Sequence, residues 1–269
     1  MHLPVVAPNG MMGGDIAQAA STIRALHKMS PRKGVVLCLG GDVMRQGYST
    51  YICDWIDRGY ISHIMMNGTA ISCDMDLGLH GQIVVDEAYP NLAVWNEDTL
   101  NIINDVAGSE AAKAHGMGYA ISMHMNEFGM GTCISKLAWQ KKVPVTIHTA
   151  IGVDKFCSMA SYDDRAMDWG HALVHDTFRA YLLARDIVNG GVILSIGGGY
   201  VMDHTLSNGM GRACTESGDF PKTSIFSFRM PGSERHNPTD KIFNAADRKI
   251  VWDIVGDYAM TIPAFHSML

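Results

Sequence analysis

Residues 191–204 read GVILSIGGGYVMDH. Val192 to Ile196 is a continuous apolar run, as expected for a strand buried on both faces of a parallel sheet. It runs directly into Gly197-Gly198-Gly199, and Asp203 and His204 follow. The same sentence is written elsewhere in the chain. Gly34 to Leu39 is an apolar run ending in Gly40-Gly41-Asp42. Ile61 to Met66 precedes Asn67-Gly68-Thr69-Ala70, and Asp74 and Asp76 lie shortly beyond. Val143 to Ile147 precedes His148-Thr149-Ala150, with Asp154 close behind. Lys249 to Val255 precedes Gly256-Asp257-Tyr258. Thr223 to Phe228 reads as one more strand.

Helical patterns alternate with these runs. Ile16, Ala19, Ala20, Ile23, Leu26 and Met29 share one face of a helix over 15–29. Further helices are expected over 51–58, 75–79, 98–106, 111–129, 132–141 and 165–189. Residues 209–221 and 229–240, rich in Gly, Ser, Pro, Arg and Asp, read as loops. This rhythm predicts an α/β fold: one open, mostly parallel sheet with helices on both faces. The length of 269 residues suits a single domain over 1–269. Ligands of such sheets bind at the carboxyl ends of the strands. Small residues there let a backbone approach a phosphate or a flat ring, and a helix N-terminus favours negative charge. Carboxylates nearby suit ribose hydroxyls or a cationic group. The pattern predicts a nucleotide or dinucleotide site, although GxGxxG is absent.

Composition removes several alternatives. Hydrophobic residues make up 47% and charged residues 18%, which excludes an intrinsically disordered chain. A net charge of −6 argues against a nucleic-acid partner. No apolar run is long enough to span a membrane, and residues 1–15 lack the pattern of an export signal. The six cysteines form no CxxC pair. A cytoplasmic protein with reduced, packing thiols is expected. Neither GxSxG nor a P-loop is present. His171 and His175, four apart on a helix with Asp168 and Asp176 nearby, offer a metal-assisted hydrolase as an alternative, though no metal site is expected.

Five of these blocks together resemble the deoxyhypusine synthase family, including its short bacterial relatives. They are VVLCLGGDVMRQG (35–47), IMMNGTAISCDMDL (64–77), KVPVTIHTAIGVD (142–154), GVILSIGGGYVMDH (191–204) and IVGDYAMTIP (254–263). The resemblance implies a Rossmann-like domain, NAD as cofactor, and a homotetramer with active sites at subunit interfaces. Family enzymes oxidise the polyamine spermidine and transfer a butylamine group through an imine on a lysine. Matched residue by residue, Thr69, Ala70, Asp74, Asp76, Gly198, Gly199, Asp257 and Tyr258 fall on cofactor positions. Asp154 matches an aspartate serving cofactor or amine. His204 and His148 are the candidate bases, and Asp203 occupies the position of the family's active-site histidine. The family's glycine pair is Ile71-Ser72 here, and its later asparagine is Ser207. No tryptophan-glycine-lysine motif exists. Lys155, Lys241 and Lys249 are the lysines near candidate loops. The expected activity is therefore NAD-dependent oxidation of a small amine or related metabolite, with group transfer or elimination, rather than modification of a protein lysine. A non-catalytic NAD-binding protein is the other alternative.

Overall fold

The structure, a computed structural model, describes residues 10–29, 34–83, 96–150, 154, 166–197, 200–218, 222–232 and 251–269. In chain order the elements are α1 (Gly10–His27), β1 (Val35–Leu39), α2 (Gly41–Arg45), α3 (Ser49–Asp57) and β2 (His63–Asn67). Then come α4 (Gly68–His80), α5 (Glu97–Ala107), α6 (Glu110–His115), α7 (Met117–Phe128), α8 (Ile134–Lys141) and β3 (Val145–His148). The last are α9 (Ala166–Ile187), β4 (Val192–Ile196), α10 (Tyr200–Ser217), β5 (Ser224–Arg229), β6 (Val251–Val255) and α11 (Tyr258–Met268).

Among the described residues six strands form one sheet in the order β3-β2-β1-β4-β5-β6. Every pairing is parallel. Alternation along the strands divides the core. Leu37, Leu39, Ile64, Met66, Ile147, Leu194 and Phe228 face a large layer that includes α1, α3, α4, α7, α8 and α11. Val36, Cys38, Met65, Ile193 and Ile225 face α9 and α10 on the other side. This is the expected α/β sheet with helices on both faces. Among the described residues no helix is long and apolar enough to cross a membrane.

Several boundaries differ from the sequence reading, each for a physical reason. The helix expected over 111–129 breaks at Gly116, which adopts φ +94°. A side chain there would strike the Asp176 carboxylate, 2.3 Å from the added carbon. The helix expected at 75–79 begins at Gly68, because the Asn67 side chain accepts from Ala70 N at 2.8 Å and caps it. Residues 209–217 are helical rather than a loop. Met202, Leu206, Met210 and Ala213 form a buried stripe of α10 against the sheet. Of the second expected loop, Arg229 closes β5 and residues 233–240 lie outside the described residues. Helix α11, which no apolar pattern announced, is capped by Asp257 and contains Pro263.

The buried thiols Cys73 and Cys133 and the half-buried Cys53 carry a testable consequence. Burial, followed by the nearby Asp74 charge, pushes Cys53 and Cys133 up to about 12. Burial does the same to Cys73. A thiolate is the reactive species. In the native protein at pH 8, Cys53, Cys73 and Cys133 should therefore remain unmodified by a disulfide-exchange reagent and react only in denaturant. Peptide mapping by mass spectrometry checks this, and rapid native labelling of Cys73 would contradict the packing described.

Candidate functional site

The strand order reverses between β1 and β4, so the connections leaving these neighbours go to opposite faces. Such a switch point opens a crevice at the carboxyl ends. Gly40 N donates to Ile196 O at 3.0 Å, and Gly197 N donates to Phe228 O at 3.2 Å. These bonds hold the two strand ends together. A Cβ on Gly40 would lie 1.5 Å from Gly197 O. Gly197 itself sits at φ +57° beneath the Tyr258 hydroxyl, which donates to Phe228 O at 3.4 Å.

The close approaches continue along the sheet edge. A Cβ on Gly41 would meet Thr69 Cγ2 at 2.1 Å, and one on Gly68 would meet the Asp154 carboxyl carbon at 2.3 Å. Tyr258, Gly197, Gly40, Gly41, Thr69, Gly68 and Asp154 thus form one unbroken line across the strand ends. Protein atoms already occupy the space beside each of these glycines. They are required first by the packing of strand ends, backbone on backbone at Gly40 and Gly197 and backbone against the side chains of Thr69, Asp154 and Tyr258 elsewhere.

Polar groups rim this floor. Thr69 and Asp154 are half-buried, while Asp42 and Asp257 are exposed. Asp154 Oδ2 accepts from Ala150 N at 2.7 Å. Burial raises its pKa, opposed by that hydrogen bond. Asp42 pairs with Arg45. Asp257 Oδ1 accepts from Ala259 N at 2.8 Å, so this carboxylate caps α11. Burial, then the Asp42 charge, pushes the Tyr258 phenol up to about 12. The rim therefore offers acceptors for hydroxyls or a cation beside the amino terminus of α4.

Not all expected site residues come to this rim. Asp74 is fully buried and turned to α8: Ile134 N donates to Oδ1 at 2.7 Å and Ser135 N to Oδ2 at 2.9 Å. Its pKa is raised by burial, against those bonds. Asp76 is buried too, accepting from Thr99 Oγ1 at 2.5 Å. Ala70 lies buried in the first turn of α4. Both aspartates thus serve the packing of α4 and stand apart from the crevice. His204 is half-buried in α10. Asp203 belongs to the same helix, but its side chain lies outside the described residues, as do Gly198, Gly199, Lys155, Lys241 and Lys249.

His148 ends β3 on the α9 side of the sheet. Its Nε2 lies 2.9 Å from Thr146 Oγ1, which is also 3.0 Å from His63 Nε2. Burial pushes His148 down to about 4. Burial, then His148 and Arg179, pushes His63 down to about 3. Both imidazoles are neutral at pH 7, and His148 is a weak base in this setting. The His63–Thr146–His148 chain escaped the sequence reading. Its one signal was a histidine opening an otherwise apolar strand. His171 and His175 lie exposed on α9. Among the described residues no group of three His, Cys, Asp or Glu could hold a metal.

No family model and no curated protein matches this sequence. Solved structures do match. AgrE in its ternary complex with ornithine and NAD+ aligns with a TM-score of 0.63 at 12% identity over 99% of this chain and 34% of AgrE. A conserved protein assigned to the LOR/SDH group from Methanococcus maripaludis S2 aligns at 0.59 and 12% identity, over 100% of this chain and 73% of its own. A protein assigned as a deoxyhypusine synthase from Entamoeba histolytica aligns at 0.58 and 10% identity, over 97% and 88%. The chain spans about a third of the length of AgrE. These likenesses establish the shared fold.

Proposed function

We propose that this chain binds NAD across the β1–β4 switch point and, like the deoxyhypusine synthase family, oxidises a small amine or related metabolite. The observation that carries the reading is the joined line of strand ends at Gly40, Gly197 and Gly68, with an acidic rim, in a fold shared with AgrE, which was solved with ornithine and NAD+. Both the dinucleotide and a basic amine fit such a rim. The polar groups that suit a pyridine dinucleotide lie beside the joined strand ends: the Thr69 hydroxyl, and the Asp154 carboxylate for a ribose hydroxyl. Bound there, NAD supplies the hydride acceptor.

The chain's own groups then divide the remaining work. Gly197 and Gly40 hold the ends of β1 and β4 together as the floor, and the amino terminus of α4 favours the negative pyrophosphate. Asp257 and Tyr258 border the opposite end, where Asp257 can attract a cationic amine. His204, in α10 beyond β4, is our candidate acceptor for a proton released from the substrate. Asp203, Gly198 and Gly199 keep the roles that the resemblance implies. His148 is less suited to proton abstraction because burial holds it neutral far below its ordinary value. A homotetramer with shared active sites and a cytoplasmic location complete the proposal.

Calorimetric titration of NAD+ into the chain, followed by an amine panel monitored for reduced cofactor, tests it. Saturable binding and turnover are expected. Asp154→Asn should weaken NAD+ by about tenfold, the size of one lost charge-assisted hydrogen bond. Absence of NAD+ binding would overturn the reading. Binding without turnover on any amine would instead leave a non-catalytic NAD-binding protein, the form that the missing tryptophan-glycine-lysine motif favours.

A further inference from the structure

A second cavity lies at the opposite, amino-terminal edge of the sheet, where α8 turns into β3. It encloses about 390 Å³. Tyr119, Trp139, Val143 and Val145 supply an apolar wall, and Lys142 and Arg179 add two cations. Tyr119 and Trp139 meet edge to face with ring centroids 5.0 Å apart. The turn that shapes the mouth is specific. Lys142 adopts φ +57°, and Val143 N donates to Ala138 O at 2.8 Å, which closes the end of α8.

Arg179 is the informative residue. It is half-buried on α9 beside this wall, and among the described residues no hydrogen bond or ion pair engages it. Its charge acts on Asp176, whose Oδ2 instead accepts from Gly118 N and Ile147 N, each at 2.9 Å. A half-buried guanidinium that no carboxylate hydrogen-bonds adds little to stability. It is well made for a planar anion, which it grips through two parallel N–H donors. The flat indole and phenol beside it suit an aromatic ring.

We infer that the Trp139–Arg179 cavity binds a small aromatic carboxylate, its ring against Trp139 and Tyr119 and its carboxylate on Arg179, with Lys142 at the mouth. The site is separate from the strand-end crevice and does not depend on the NAD reading.

Benzoate is the probe, with benzamide and benzylamine as neutral and cationic matches. Titrating benzoate into the full chain should give saturable quenching of tryptophan emission, and Trp139→Phe should remove that signal. Arg179→Gln should weaken benzoate by at least about tenfold, the loss of a bidentate charge-assisted contact. Lys142→Gln should weaken it less. Benzamide and benzylamine should bind far more weakly than benzoate. Circular dichroism of each variant should match the parent, since Arg179 and Lys142 make no side-chain bonds among the described residues that the fold would lose. Three results would each overturn the inference: no saturable benzoate binding to the folded parent, unchanged affinity in folded Arg179→Gln, or benzylamine binding as well as benzoate.

Discussion

Gly40→Ala is expected to lower the thermal midpoint by roughly 6–12 °C, corresponding to about 3 kcal/mol in a chain of this size. The reason is space, because Gly40 has φ −99° and ψ 166°, which any residue adopts. The added carbon would sit 1.5 Å from the Gly197 carbonyl oxygen. That neighbour is backbone, so no rotamer relieves the overlap. One strand end must move away, and the Gly40 N to Ile196 O bond goes with it. Gly170→Ala is the control: a Cβ there meets nothing within 4 Å in the interior of α9. Alanine at that site should be neutral or stabilising by about 0.5–1 kcal/mol. Differential scanning calorimetry of both variants compares the effects. Equal midpoints for Gly40→Ala and the parent would mean that the two strand ends do not touch.

Asp176→Ala should cost about 3–5 kcal/mol. Asp176 is fully buried, and its Oδ2 joins three elements by accepting from Gly118 at the start of α7 and from Ile147 in β3. Ile147 lies on an edge strand, where an unpaired N–H faces no further strand. The alanine variant leaves both buried donors without an acceptor. Asp176→Asn keeps an oxygen there and should retain most of the stability at neutral pH.

The pH dependence separates charge from hydrogen bonding. Burial pushes Asp176 up to about 7, opposed by its backbone hydrogen bonds and by Arg179. Unfolded, it titrates at about 3.9. The folded state therefore binds the extra proton between these values. The Asp176 contribution to stability is greatest near pH 4, falls as pH rises toward 7, and is flat above that. His63 and His148, held neutral by burial, act in the opposite sense, opposing folding as acid charges them. They are common to both proteins, so the difference between the parent and Asp176→Asn isolates the aspartate. Urea unfolding across pH 4–8 should show the parent losing stability relative to the asparagine variant as pH rises. Parallel curves would contradict the raised pKa.

Much of this architecture is legible in the chain because strands buried on both faces write continuous apolar runs. Val192–Ile196 is buried along its whole length at the expected bounds, and Val35–Leu39 lies within the run expected over 34–39. Glycine was the harder signal. Gly209 suggested a loop, yet it lies within α10, where a Cβ would stand 2.7 Å from Ala184 Cβ. It marks two helices pressed together rather than a turn. Gly40, Gly41, Gly68 and Gly197 lie on the sheet edge as expected, while the contacts that require them are between protein segments. The carboxylates were ambiguous for a different reason. Asp74 follows a strand and a small-residue turn, as a cofactor ligand would. Its partners, Ile134 and Ser135, lie 60 and 61 residues later in the chain, and local spacing contains no trace of them. The His63–Thr146–His148 chain crosses two strands and is equally invisible before the register is known.

A crystal structure of the chain grown with saturating NAD+ tests the central proposal most directly. A dinucleotide is expected across the carboxyl ends of β1 and β4, its pyrophosphate toward the amino terminus of α4 and a ribose hydroxyl directed to Asp154. A dinucleotide lodged elsewhere, or an empty crevice at saturating NAD+, would contradict it.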